Sequence, residues 1–129
     1  MTNEKIEFLM FTVKETAHSI MDVTVDLQAR EYTIAHTDLY GQTLSKEIGG
    51  KLRGKTVKQL SEKLSEIDVV SLPLNEKNTL PIHLEDATVM YVIDEETYYT
   101  DGDDQKSLSE VHKALEQAVG TTFGSYDFY

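Results

Sequence analysis

From Ser19 to Gln28 apolar and polar residues alternate. Met21, Val23, Val25 and Leu27 fall on one face, and Asp22, Thr24, Asp26 and Gln28 on the other. A period of two over this length predicts a strand with one face buried. Before it, Ile6 to Val13 is apolar apart from Glu7 and Thr12, which predicts a central strand covered on both faces. After it, Gln28-Ala29-Arg30 is a short turn, and Glu31 to His36 returns with Tyr32 and Ile34 directed inward. So short a connection predicts an antiparallel hairpin.

The period then changes. Val57, Leu60, Leu64 and Ile67 are spaced by three, four and three, the stripe of an amphipathic helix. Thr56 with Gln59 reads as a capping box at its start, and Pro73 lies just beyond its end. Thr88 to Ile93 is a second apolar strand, Asp94-Glu95-Glu96 a polar turn, and Thr97 to Thr100 a returning strand. Leu108, Val111, Leu115 and Ala118 mark a second helix, with Ser107 and Glu110 as its capping box and Gly120 as its stop. The order is β-β-β-α-β-β-α. It predicts an α+β fold, an antiparallel sheet of about five strands with two helices on one face. Residues 1–129 form one domain, with surface loops at 37–54 and 73–81 and an aromatic tail at 121–129.

Composition narrows the function classes. A chain of 129 residues buries about two-thirds of its unfolded surface, enough for a core without staples. The absence of cysteine excludes disulfides, thiolate metal sites and cysteine nucleophiles, and fits a reducing cytosol. The Met1–Lys5 opening and the Lys14, Glu15 and His18 that follow the first apolar run do not resemble a secretory signal. That run is also too short to span a bilayer. The expected compartment is the cytoplasm. A net charge of −11 disfavours nucleic acid and anionic membrane; it serves solubility first and leaves a basic protein partner or a cation open.

One segment carries candidate chemistry. Gly49-Gly-Lys-Leu-Arg-Gly54-Lys55-Thr56 matches the phosphate-loop pattern G-x-x-x-x-G-K-[ST], and Val89 to Ile93 leads into Asp94-Glu95 as a magnesium-binding strand would. In that reading backbone N–H groups of Gly49 to Gly54 cradle phosphates. Lys55 reaches the β and γ phosphates, and Thr56 and Asp94 hold magnesium. At this chain's residue frequencies about 0.005 such matches arise by chance. The context opposes it. A phosphate loop follows a buried parallel strand, whereas Tyr40 to Ile48 has only Leu44 and Ile48 apolar after Tyr40. Gly49 and Gly50 also suit a loop with positive φ, and Gly54 a turn into the helix.

Other constellations are thinner. The acids between Asp94 and Asp104 do not fit an EF-hand: with Gly102 at its sixth position, Thr97, Tyr99 and Leu108 stand where carboxylates belong. His18, His36, His83 and His112 make no paired metal spacing; they read as surface or strand-edge residues. No nucleophile motif, cofactor site or metal site emerges. The leading expectation is a non-enzymatic protein-binding or regulatory module of the inhibitor or immunity type, engaging a basic partner through its acidic surface or an open sheet edge. An open edge also leaves room for a homodimer. The alternatives are nucleotide binding at Gly49, Gly54, Lys55, Thr56 and Asp94, and a small-ligand or cation-binding domain.

Overall fold

The computed structural model describes residues 6–44, 47–71, 74, 87–100 and 105–120. It contains β1 (Phe8–Thr16), β2 (Ser19–Asp26), β3 (Glu31–Asp38), β4 (Ile48–Lys51), α1 (Gly54–Ile67), β5 (Ala87–Ile93), β6 (Glu96–Tyr99) and α2 (Gln105–Val119), with a 3-10 turn at Val69–Ser71. One sheet has the order β4-β3-β2-β1-β5-β6, and every neighbouring pair is antiparallel. The class is α+β as the patterning predicts, with a sixth strand, β4, inside the segment expected to be a loop.

Register sorts the side chains. Leu9 pairs with Val25 and Tyr91, Phe11 with Val23 and Val89, and Val13 with Met21 and Ala87. Paired residues share a face, so these buried side chains form a single apolar surface. Leu60 and Leu64 of α1 and Leu108, Val111, Ala114 and Leu115 of α2 join the same cluster, which places both helices on that face. The opposite face is mixed. Phe8, Met10, Met90, Val92 and Tyr99 are half-buried there beside Thr12, Asp22 and Thr24.

Local chemistry explains the turns. Asp26 Oδ1 accepts from the Gln28 and Ala29 amides, and Arg30 adopts a left-handed φ of 59° to enter β3. Asp94 and Glu95, with φ of 51° and 67°, form the two-residue β5–β6 turn. Gly120 closes α2 at φ 78°, its amide donating to the Glu116 carbonyl, the helix stop expected of it. Two expected capping boxes are corrected. α1 begins at Gly54 with Arg53 as N-cap and no side-chain cap, so Thr56 sits inside the first turn. α2 begins at Gln105, so Ser107 is likewise inside its helix. Expectations for 75–81 and 121–129 lie outside the described residues. No helix among the described residues is long and apolar enough to cross a membrane.

Candidate functional site

The region of interest is the β3–β4 edge. At the end of β3 the chain turns through Asp38-Leu39-Tyr40-Gly41-Gln42. The Gly41 amide donates to the Asp38 carbonyl at 3.1 Å, and the Asp38 amide donates to the Gln42 carbonyl at 2.9 Å. Asp38 Oδ1 also accepts from the amides of Tyr40 (2.8 Å) and Gln42 (2.9 Å). Gly41 supplies a φ of 86° that side-chain-bearing residues avoid. Four hydrogen bonds over five residues fix the backbone, and its tip carries Tyr40 at 93% exposure.

After this turn the chain runs back beside β3. Thr43 bridges Thr37, and the Leu44 amide donates to the His36 carbonyl at 2.8 Å. Ile48 pairs with Ile34. His36 and Ile34 are two residues apart on the helix-side face, so Leu44 and Ile48 stand side by side, roughly 7 Å apart. Both are more than half exposed, at 56% and 55%, with Leu39 partly exposed nearby. The result is an apolar rim on an otherwise acidic protein.

The phosphate-loop-like segment takes a different shape from the one its pattern implies. Gly49 and Gly50 lie in β4, antiparallel to β3, and neither has positive φ. The reason for glycine is close approach. A Cβ on Gly50 would lie 3.0 Å from the Tyr32 ring, and one on Gly49 3.1 Å from the Tyr32 carbonyl. A Cβ on Gly54 would lie 3.2 Å from the Arg30 guanidinium. Only Leu52, which is buried, and Arg53 separate β4 from α1. No loop is left to wrap a phosphate. Gly54, Lys55 and Thr56 form the first turn of α1, while Asp94 follows β5, four inter-strand spacings or roughly 19 Å from β4 across the sheet. Thr56 instead lines an open groove of about 380 Å³ between the helices, with Gln59, Lys63 and Gln117. Magnesium with ATP or GTP is therefore expected to leave the melting temperature unchanged. A rise that Lys55→Ala abolishes would reinstate nucleotide binding.

Among the described residues, burial shifts half-buried Asp22 and buried His112. Asp22 accepts a 2.7 Å hydrogen bond from the Thr12 hydroxyl; burial pushes its pKa up, and the hydrogen bond partly offsets this. His112 lies within the core at 5% exposure, its ring centroid 5.7 Å from that of Phe11 and its Nδ1 3.4 Å from Glu116. Burial lowers its pKa, Glu116 opposes this, and Lys113 adds to it. The surface placement expected of this histidine is thus corrected. It stands four residues after Leu108 and three before Leu115, on the buried stripe, and that spacing was available in the sequence. His18 is exposed and His36 half-buried on β3, one strand in from the edge; His83 lies outside the described residues. Among the described residues no three His, Asp or Glu side chains gather around one point.

The Tyr40 turn had a signal too. Asp at the first and Gly at the fourth position is the composition of a tight turn, and Asp38-Leu39-Tyr40-Gly41 has it. No protein-family model matches the chain, and no curated protein matches it either.

Proposed function

We propose that this protein is a non-enzymatic binding module that captures a protein partner with the Tyr40 turn and the apolar rim beside it. The observation that carries the reading is the exposure of Tyr40 on a backbone already locked by Asp38. A fully exposed tyrosine on a fixed backbone offers a large amphipathic contact at small entropic cost, and tyrosine is enriched among binding hot spots. Leu39, Leu44 and Ile48 extend that contact. The net charge of −11 favours a basic partner by speeding encounter, as in inhibitor or immunity proteins that hold a basic target.

Tyr40→Ala is expected to weaken partner binding about tenfold or more while leaving the melting temperature within a degree or so, because the side chain contacts little of its own fold. The check is affinity capture from the lysate of the source cells, at low and physiological salt, with wild type and variant compared by quantitative mass spectrometry. Retention of the same proteins by both, or of none by wild type, overturns the reading.

A further inference from the structure

A second interaction is written into β4. This strand forms one edge of the sheet, four residues long with all but Gly50 exposed. Its unpaired groups can be identified. The Leu52 amide donates to the Arg30 carbonyl at 2.7 Å, which makes Arg30/Leu52 a hydrogen-bonded pair of the β3–β4 ladder. Such pairs alternate in an antiparallel ladder, so Gly50 and Ile48 also direct their amides and carbonyls toward β3. Gly49 and Lys51 then point theirs outward, into solvent, and the Glu47 carbonyl points the same way, opposite the Ile48 amide across one planar peptide.

We propose that β4 pairs with β4 of a second copy of this chain, antiparallel about a two-fold axis at Gly49, so that two six-stranded sheets become one continuous sheet. This does not rest on the partner proposed above. Register decides the pairing. Outward-facing residues must meet outward-facing residues, and the two-fold register centred on Gly49 engages all three. Gly49 faces its own counterpart, and Glu47 faces Lys51 of the second copy at both ends, giving about four backbone hydrogen bonds, or six where the Glu47 amide joins. The charges suit this register. Glu47 and Lys51 are both exposed and equidistant from Gly49, so the operation that pairs the strands also sets each carboxylate opposite an ammonium. Arg53, two residues beyond Lys51, adds to the positive field that receives the partner's Glu47.

The side chains fit as well. At the axis Gly49 has none, and a bare backbone lets a second strand approach. On the helix-side face Ile48, 55% exposed, meets Gly50 of the second copy, whose empty Cβ position lies against Tyr32. An apolar side chain left in water thus gains a glycine seat with an aromatic ring beneath it. A lone lysine on a short edge strand ordinarily discourages pairing. Here Glu47 converts that protection into a preference for a copy of itself. The pairing covers residues 47–51, so it takes Ile48 from the apolar rim and leaves Leu39, Leu44 and the turn carrying Tyr40 outside it. The interface is small and its affinity correspondingly modest, with dimer expected in the range of about 10–500 µM protein.

Sedimentation equilibrium of the full chain at about 0.15 M salt tests this; such salt screens the long-range repulsion between two acidic copies more than an adjacent ion pair. Wild type is expected to shift from monomer to dimer over that concentration range. Lys51→Glu and Glu47→Lys, each placing like charges opposite one another twice, are expected to weaken the dimer about tenfold or more. The double variant Glu47→Lys/Lys51→Glu restores both pairs with their polarity exchanged, and is expected to recover dimerisation to within a few-fold of wild type. Both positions are exposed, and unchanged far-ultraviolet circular dichroism and melting temperature confirm that each variant folds. A wild type that stays monomeric throughout, single variants that dimerise as wild type does, or a double variant no better than the singles, each overturns the proposal.

Discussion

Phe11→Ala is expected to destabilise the protein by about 3–5 kcal/mol. Phe11 is fully buried on the central strand β1, with Val23 on one side and Val89 on the other. It sits where sheet and helices meet, its ring tilted 47° from that of His112 on α2. Removing the ring forfeits its transfer free energy and leaves a cavity walled by strands that cannot collapse without breaking register. Domains of this size hold roughly 5–15 kcal/mol in all, so the loss is about a fifth of the total or more. Urea unfolding should show it as a lower midpoint with a similar slope, and the melting temperature should fall by about 10–20 °C. Phe11→Leu keeps most of the volume and should cost about 1–1.5 kcal/mol. A loss below 1 kcal/mol for the alanine variant would mean that β1 is not the centre of the core.

That the centre lies on β1 follows only partly from the sequence. Its apolar run implied a strand covered on both faces, and the structure qualifies this: Leu9, Phe11 and Val13 are fully buried, while Phe8 and Met10 are half-buried on the other face. The helical stripes were legible because period and burial agree, as at Leu60 and Leu64. β4 was not, for a physical reason. Ile48-Gly-Gly-Lys has one apolar residue and two glycines, so it carries no alternation and little intrinsic preference for a strand. It is held in place by β3, through Tyr32 lying over Gly50, and a contact between residues 18 positions apart leaves no local pattern. The same glycines produced the phosphate-loop resemblance. A regular expression records only that small residues stand there, and in β4 the close contacts that favour them come from a tyrosine ring and a backbone carbonyl. At the apolar rim the composition of the Tyr40 turn was readable in advance. That Leu44 and Ile48 share a face was not, because it depends on where β4 pairs.

His112 should make the protein acid-sensitive well above the range in which carboxylates titrate. Burial holds its folded pKa below the free value of 6.5, so as pH falls the unfolded chain takes up the proton first. Stability is at its full value above pH 6.5 and is lost as pH falls toward and through the folded pKa. One proton sets the limit: the slope cannot exceed about 1.4 kcal/mol per pH unit, or about 2 kcal/mol between pH 6.5 and 5. Glu116, at 3.4 Å, favours the protonated form and moderates the effect, while Lys113 opposes it. Asp22 acts in the other sense. Its pKa is raised, so its contribution is present below the free value of 3.8 and is lost as pH rises through the folded one. An Asp22→Asn background removes that opposing change. In this background, urea unfolding at pH 7.5, 6.5, 5.8 and 5.0 should show a steady loss, and His112→Leu should flatten it. Glu116→Gln should steepen it, because the charge that supports protonated His112 is gone while the burial stays. An equally steep profile after His112→Leu would place the acid-sensitive group elsewhere. A profile flattened by Glu116→Gln would show that the carboxylate, rather than the imidazole buried against Phe11, governs the response.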